Sequence, residues 1–113
     1  MLYDRMKGSV MYVLNYWHTV PDYAEWKKVF DSDPLDREGS GIRRFTIERP
    51  AGDEHRVIGH LEFDSQGEAE TFAGRLQKVW DSVGTSVVSD AGFTTTEILE
   101  AQEFRRETAR KVA

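Results

Sequence analysis

The sequence predicts an α+β protein of the ferredoxin-like kind: element order βαββαβ, a four-stranded antiparallel sheet, and two helices on one face of it. Three observations carry this prediction. Residues 10–18 (VMYVLNYWH), 42–49 (IRRFTIER) and 56–64 (RVIGHLEFD) alternate with the period of two that marks a strand. Residues 21–30 (PDYAEWKKVF) and 65–80 (SQGEAETFAGRLQKVW) instead place their apolar side chains at helical spacing. A last strand is expected in residues 95–104 (TTEILEAQEF), and residues 81–94, punctuated by Gly84 and Gly92, read as a short connection.

Each element has a local reason. In the first helix Asp22 is placed to cap the N-terminus with Glu25 reaching back from three residues on, and Pro21 keeps the preceding residue extended, so the first strand ends near His18 and Thr19. Tyr23, Trp26 and Phe30 form its apolar stripe. In the second helix Ser65 and Glu68 repeat the capping pair, and Ala69, Phe72, Leu76, Val79 and Val83 form the stripe, with Trp80 beside it. On the third strand Val57, Gly59, Leu61 and Phe63 share the face that meets the helices, leaving Ile58, His60 and Glu62 opposite. Matching faces across the PAGDEH turn sets Thr46 against His60 and Arg44 against Glu62.

Both crossovers are expected to be right-handed, which puts the helices on one side. The first strand, however, is aromatic or apolar on both faces: Tyr12, Leu14 and Tyr16 on one, Met11, Val13 and Trp17 on the other. Such a strand calls for cover on the second face as well, and the economical cover is another copy of the chain, packed sheet to sheet about a two-fold axis. A homodimer is therefore expected.

A length of 113 residues suits one domain, here residues 10–104, between a flexible N-terminal segment at 1–9 and a basic tail at 105–113 holding Arg105, Arg106, Arg110 and Lys111. The chain has no cysteine, which excludes disulfides and thiolate metal sites and is in keeping with a cytoplasmic location. No apolar run approaches the roughly 20 residues needed to cross a bilayer. A net charge of −5 argues against nucleic acid as a partner. There is no HxH or HxxxH pair for a metal, no G-x-S-x-G elbow, and the GSG at 39–41 precedes a strand rather than a helix, so neither a metal nor a cofactor is expected.

With WHTVPDYAEWKKVFD, ERPAGDEHRVIGHLEFDS and AGFTTTEILEAQEF in view, the chain resembles the dimeric α/β-barrel superfamily, and within it small cyclase-like and antibiotic-biosynthesis-monooxygenase-like proteins. The resemblance spans residues 10–104. Its strongest element, Asp22, Tyr23, Trp26 and Phe30, caps and packs a helix and so speaks for fold rather than chemistry. It implies a homodimer enclosing pockets, in a superfamily whose activities include cofactor-independent oxidation of aromatic polyketides, haem degradation, decarboxylation, isomerisation and peroxidase chemistry. The haem-degrading and quinone-forming branches use an asparagine on the first strand, a role that the resemblance assigns to Asn15. Their tryptophan and histidine do not map: Trp80 lies on the second helix, which has no histidine, and His60 lies mid-strand.

Among the residues themselves His60 is the leading candidate, an imidazole at mid-strand beside Thr46 and in line with Glu62, placed to act as a general base. The competing reading packs it at a dimer interface, bonded to Thr46. His18, with Tyr16 and Trp17, is read either as a pocket-mouth group or as a strand-end surface residue. His55, in the turn, is expected to be solvated. Arg44 is placed to hold a substrate carboxylate or to pair with Glu62. Two functions are carried forward. One is a cofactor-independent oxygenase, cyclase or isomerase acting on a small hydrophobic or aromatic metabolite, with His60 and Asn15 catalytic and Tyr16, Trp17, His18, Arg44, Thr46 and Glu62 binding. The other is a non-catalytic homodimeric binding or stress-associated module.

Overall fold

The computed structural model of the chain describes residues 11–105. The expected segment at 1–9 and the tail beyond Arg105 lie outside the described residues. The elements are β1 (Tyr12–Thr19), α1 (Tyr23–Asp31), β2 (Arg44–Glu48), β3 (Arg56–Phe63), α2 (Gln66–Val83) and β4 (Ser89–Glu97). The strands make one antiparallel sheet in the order β2-β3-β1-β4. This is the ferredoxin-like arrangement.

Register follows from burial. Pairing of β2 with β3 sets Arg44 opposite Glu62 and Thr46 opposite His60, so that Val57, Leu61 and Phe63 all turn inward and are at most 2 % exposed. A slip of one residue would move this whole apolar set to the outer face. On β1 the inward set is Leu14, Tyr16 and His18, each 3 % exposed or less. Asn15 and Trp17 therefore point to the other face.

The fourth strand corrects the sequence reading. It occupies Ser89–Glu97 rather than residues 95–104, pairing Phe93 with Tyr16 and Glu97 with Tyr12. The connection before it is short because α2 continues to Val83 and ends at Gly84 (φ 77°), whose N–H donates to the Trp80 carbonyl at 3.2 Å. Gly92 resembles a turn residue but serves the strand. A Cβ there would lie 2.8 Å from the Trp17 indole, so the glycine lets that ring lie flat across β4. A register shift between Trp17 and Thr19, with Asp90 at φ 51°, marks where the ladder begins irregularly.

Both helices are capped, though not reciprocally as a full capping box would require. The Asp22 carboxylate accepts from the N–H groups of Ala24 (2.9 Å) and Glu25 (3.4 Å), while Glu25 turns away to pair with Lys28 at 2.9 Å. Ser65 accepts from the Glu68 N–H at 3.1 Å, and its own hydroxyl donates to the Glu68 carboxylate at 3.2 Å.

The two helices sit differently on the sheet. Backbone of α2 approaches β1, β3 and β4, whereas no Cα of α1 comes within 8 Å of a Cα in any other helix or strand. Aromatic side chains fill that gap. Trp26 is 5 % exposed and meets His18 at a ring separation of 5.3 Å, and Phe30 continues the row to Phe45 at 5.5 Å. Held by side chains alone, α1 depends on Trp26 more than on any backbone contact. Replacing Trp26 by alanine should lower the unfolding free energy by about 3–5 kcal/mol. A urea melt of that variant within experimental error of the parent would show that α1 is held some other way.

Candidate functional site

An aromatic cavity lies in the space that α1 leaves above the sheet. Tyr16 and His18 on β1 form its floor, Trp26 and Phe30 on α1 one wall, Phe72, Leu76 and Trp80 on α2 the other. The Tyr16 ring can occupy the floor only because residue 59 across the ladder is glycine. A Cβ at that position would come within 2.2 Å of the phenol ring. The free space is about 60 Å³, several times what one water molecule needs.

His18 is the anomaly of this cavity. It is fully buried, and neither ring nitrogen has a hydrogen-bond partner among the described residues. Its neighbours are the rings of Tyr16 (stacked, 5.7 Å), Trp26 (5.3 Å) and Trp80 (5.8 Å). Removal from water pushes its pKa down from 6.5 to about 4; the neighbouring Thr19 backbone partly offsets this, while the positive charge of Arg56 adds to it, so the imidazole is neutral at pH 7. Burial likewise raises the Tyr16 phenol, which stays protonated. Buried polar atoms are nearly always paired, and leaving one unpaired costs on the order of 1–3 kcal/mol. A neutral imidazole offers one donor and one acceptor, which makes it a fitting partner for a ligand group that does both.

The cavity mouth is built by the loop between α1 and β2. Asp33, at φ 55°, turns the chain so that its carboxylate accepts the Arg37 N–H at 2.9 Å. Arg37 then folds back: its guanidinium donates to the Phe30 carbonyl at 2.6 Å and lies 4.0 Å above the Phe30 ring. Asp33 and Arg37 both line the cavity.

The residues singled out from sequence fall into two groups on opposite faces. Tyr16 and His18 line the cavity, on the helix side. Asn15, Trp17, Arg44, Thr46, His60 and Glu62 lie on the other face of the sheet, by strand alternation. There the Asn15 amide nitrogen donates to the Thr96 hydroxyl (2.9 Å), the Thr94 carbonyl (3.2 Å) and the Val13 carbonyl (3.3 Å), which turns its oxygen toward His60 Nδ1 at 2.7 Å. His60 Nε2 lies 3.2 Å from Glu48. Thr46 donates to the same Glu48 carboxylate at 3.4 Å rather than to His60, and Arg44 pairs with Glu62 at 2.6 Å.

Trp26, Trp80 and Arg37 line the cavity, and sequence reasoning placed none of them there. The signal for His18 was present, because it shares parity with Leu14 and Tyr16; for Arg37, in an irregular loop, there was none. His55, expected to be solvated, is exposed but directs Nδ1 to the Val20 carbonyl at 3.1 Å. Among the described residues no three His, Asp or Glu side chains gather as a metal site, and no helix is long and apolar enough to cross a membrane.

No protein-family model matches the sequence, and no curated protein sequence does. Solved structures do match in shape. The haem degrader MhuD from Mycobacterium tuberculosis superposes with a TM-score of 0.57 at 20% identity, over 81% of this chain and 99% of that one. SnoaB, a cofactor-independent oxygenase from Streptomyces nogalater, gives 0.57 at 13% identity, over 87% and 99%. A dimeric ferredoxin-like protein from an uncultured marine organism gives 0.54 at 17% identity, over 84% and 99%. A putative antibiotic biosynthesis monooxygenase from Nitrosomonas europaea is similar too. The chain thus has the fold of the superfamily that its sequence resembles, and identities this low speak for the fold alone.

The buried imidazole makes stability depend on pH. Because the folded-state pKa of His18 is depressed, the unfolded chain takes up the proton first as pH falls from 6.5 to about 4. The titration of His18 thus contributes nothing above 6.5 and a growing destabilisation below, on the order of 3 kcal/mol once both states are protonated. Urea melts at pH 7 and pH 4 should show the parent losing more stability than His18→Phe by about that amount. Equal losses would mean that His18 does not titrate as a buried group.

Proposed function

We propose that the chain is a homodimeric small-molecule-binding protein that takes a small hydrophobic or aromatic compound into the cavity beneath α1. The observation that carries this reading is His18: a neutral, fully buried imidazole with two unpartnered nitrogens, set among aromatic rings. An apolar residue there would be more stable, so a group with unmet hydrogen bonds is best understood as serving a ligand. The preferred ligand carries a hydroxyl on an apolar ring. Benzene fills an engineered cavity of about 150 Å³, so such a ligand enters as α1, whose Cα atoms stay more than 8 Å from those of every other helix and strand, moves outward. The space of about 60 Å³ does not suit a haem.

The homodimer is supported by the half-buried Val13, Trp17 and Ile58 on the open sheet face and by similar proteins described as dimeric. Static light scattering at micromolar concentration should give twice the chain mass.

For chemistry we propose cofactor-independent oxygenation, with dioxygen as the oxidant, or a base-initiated cyclisation or isomerisation. SnoaB, similar in fold, is such an oxygenase. With its pKa near 4, His18 suits ligand binding and orientation better than proton abstraction. His60 carries the catalytic reading on the opposite face, where Nδ1 meets the Asn15 oxygen at 2.7 Å and Nε2 the Glu48 carboxylate at 3.2 Å, so that release of one of these contacts is what would free a nitrogen to take a proton. If neither histidine supports turnover, the protein is the non-catalytic binding module.

The test pairs ligands by one hydroxyl: naphthol against naphthalene, phenol against toluene. With the parent the hydroxylated member should bind about tenfold more tightly or better, the worth of one buried hydrogen bond, and raise the melting temperature. His18→Phe should keep or gain stability at pH 7 while losing that discrimination. Failure of every aromatic ligand to shift the melt or to quench Trp26 and Trp80 would end the proposal.

A further inference from the structure

Charge enters the lining of the aromatic cavity at one place, the mouth, where Asp33 and Arg37 face it. This pair does not satisfy itself. The Asp33 carboxylate accepts the Arg37 backbone N–H at 2.9 Å, but its nearest approach to the guanidinium is 3.6 Å, at Nε, too long for a hydrogen bond. One Nη of Arg37 donates to the Phe30 carbonyl. Among the described residues no carboxylate lies within hydrogen-bond distance of the rest of the fork, a planar group whose geometry matches a carboxylate.

The charge of Arg37 is directed inward. Its guanidinium lies 4.0 Å above the ring of Phe30, itself a cavity wall. Its field reaches the Tyr16 phenol, where it opposes the larger effect of burial. Tied to Phe30 through both carbonyl and ring, Arg37 moves with α1 when that helix yields, and so remains at the mouth of the widened site. Outside, the mouth continues into an open groove of about 400 Å³ that Arg37 shares with Arg43 and Arg44. Arg44 is held by Glu62 at 2.6 Å, whereas Arg43, like Arg37, stands 3.6 Å from its nearest acid. Arg75 of α2 reaches the same loop, donating to the Ser40 hydroxyl at 3.3 Å and the Leu35 carbonyl at 3.4 Å. Incompletely paired guanidinium groups around one opening favour an anion there, although the chain as a whole carries a net charge of −5.

We propose that the ligand is a hydroxylated aromatic acid, bound with its hydroxyl on His18 and its carboxylate on the Arg37 guanidinium, and that Arg37 sets the preference for the acid. The inference rests on the cavity of the proposed function and adds to it the second polar end of the ligand. A hydroxyl and a carboxylate at opposite ends of a ring satisfy the unpartnered imidazole of the floor and the underused cation of the mouth together, while the ring meets Trp26, Phe30 and Trp80.

The test compares two acids with their own carboxamides: para-hydroxybenzoate, and a hydroxynaphthoate with the two groups on opposite rings. Each pair has one shape and differs in charge. With the parent, at least one acid should bind about tenfold more tightly than its amide, the scale of a charge-assisted hydrogen bond, and added salt should shrink that ratio. Within each variant the ratio of acid to amide affinity is the readout, because a general loss of the site lowers both alike. Arg37→Gln should bring the ratio to unity. Asp33→Asn retains a residue that tolerates φ 55° and an oxygen for the Arg37 N–H while removing the competing charge, so the ratio should rise by about threefold or more. A ratio that persists in Arg37→Gln, or that falls in Asp33→Asn, overturns the assignment. If naphthol binds the parent but neither acid exceeds its amide, the anionic end is wrong and the proposed function stands. If no aromatic ligand binds, both fall.

Discussion

The alternation of side chains along β1 is the constraint on which the rest of the structure depends. Eight consecutive residues there are flanked on both sides by strands, so no side chain has an escape other than up or down. Leu14, Tyr16 and His18 are committed to the helix side and Val13, Asn15 and Trp17 to the other. Each partner strand answers with a vacancy in its own side chains: Gly59 under Tyr16 and Gly92 under Trp17, on opposite faces. The two glycines are thus paired devices. Each lets one large ring lie flat on the sheet, Tyr16 as the floor of the cavity and Trp17 as part of the open face.

Placing His18 in the inward set has an energetic consequence. A sheet position that follows Leu14 and Tyr16 into the core would be most stable with an apolar residue. The imidazole instead brings two polar atoms into a region whose other walls are Trp26, Trp80 and Phe72. Folding tolerates this because the surrounding rings bury a large apolar area, which outweighs one unpaired group. The stand-off of α1 belongs to the same design. A helix held by aromatic side chains rather than by close backbone packing leaves space above the imidazole, and can yield without disturbing the sheet ladder.

Much of this fold can be read from sequence because two periodicities and two caps settle it. The alternation in residues 56–64 assigns Val57, Leu61 and Phe63 correctly, and that assignment alone puts His60 on the outer face. The site was less readable, for two reasons. Chemistry groups Tyr16 with Asn15 and Trp17 as one lining, whereas the alternation of β1 puts Tyr16 on one face and Asn15 and Trp17 on the other. The cavity mouth depends on Asp33 in a left-handed conformation and on Arg37 bent back over Phe30, features of an irregular loop that leave no periodic trace. The last strand was misplaced because Gly92 has the appearance of a turn, whereas its reason is a contact with Trp17, far off in sequence.

The charges of the open face bear on what can cover it. Arg44 is matched by Glu62 at 2.6 Å across the β2–β3 ladder, and His60 sits between Glu48 and the Asn15 oxygen, whose amide is in turn fixed by three acceptors. Every polar group named there already has a partner within its own chain. A surface organised in this way can be covered by another apolar and self-neutralised surface without leaving a charge uncompensated, which is the step that ordinarily makes burial of ionised residues prohibitive.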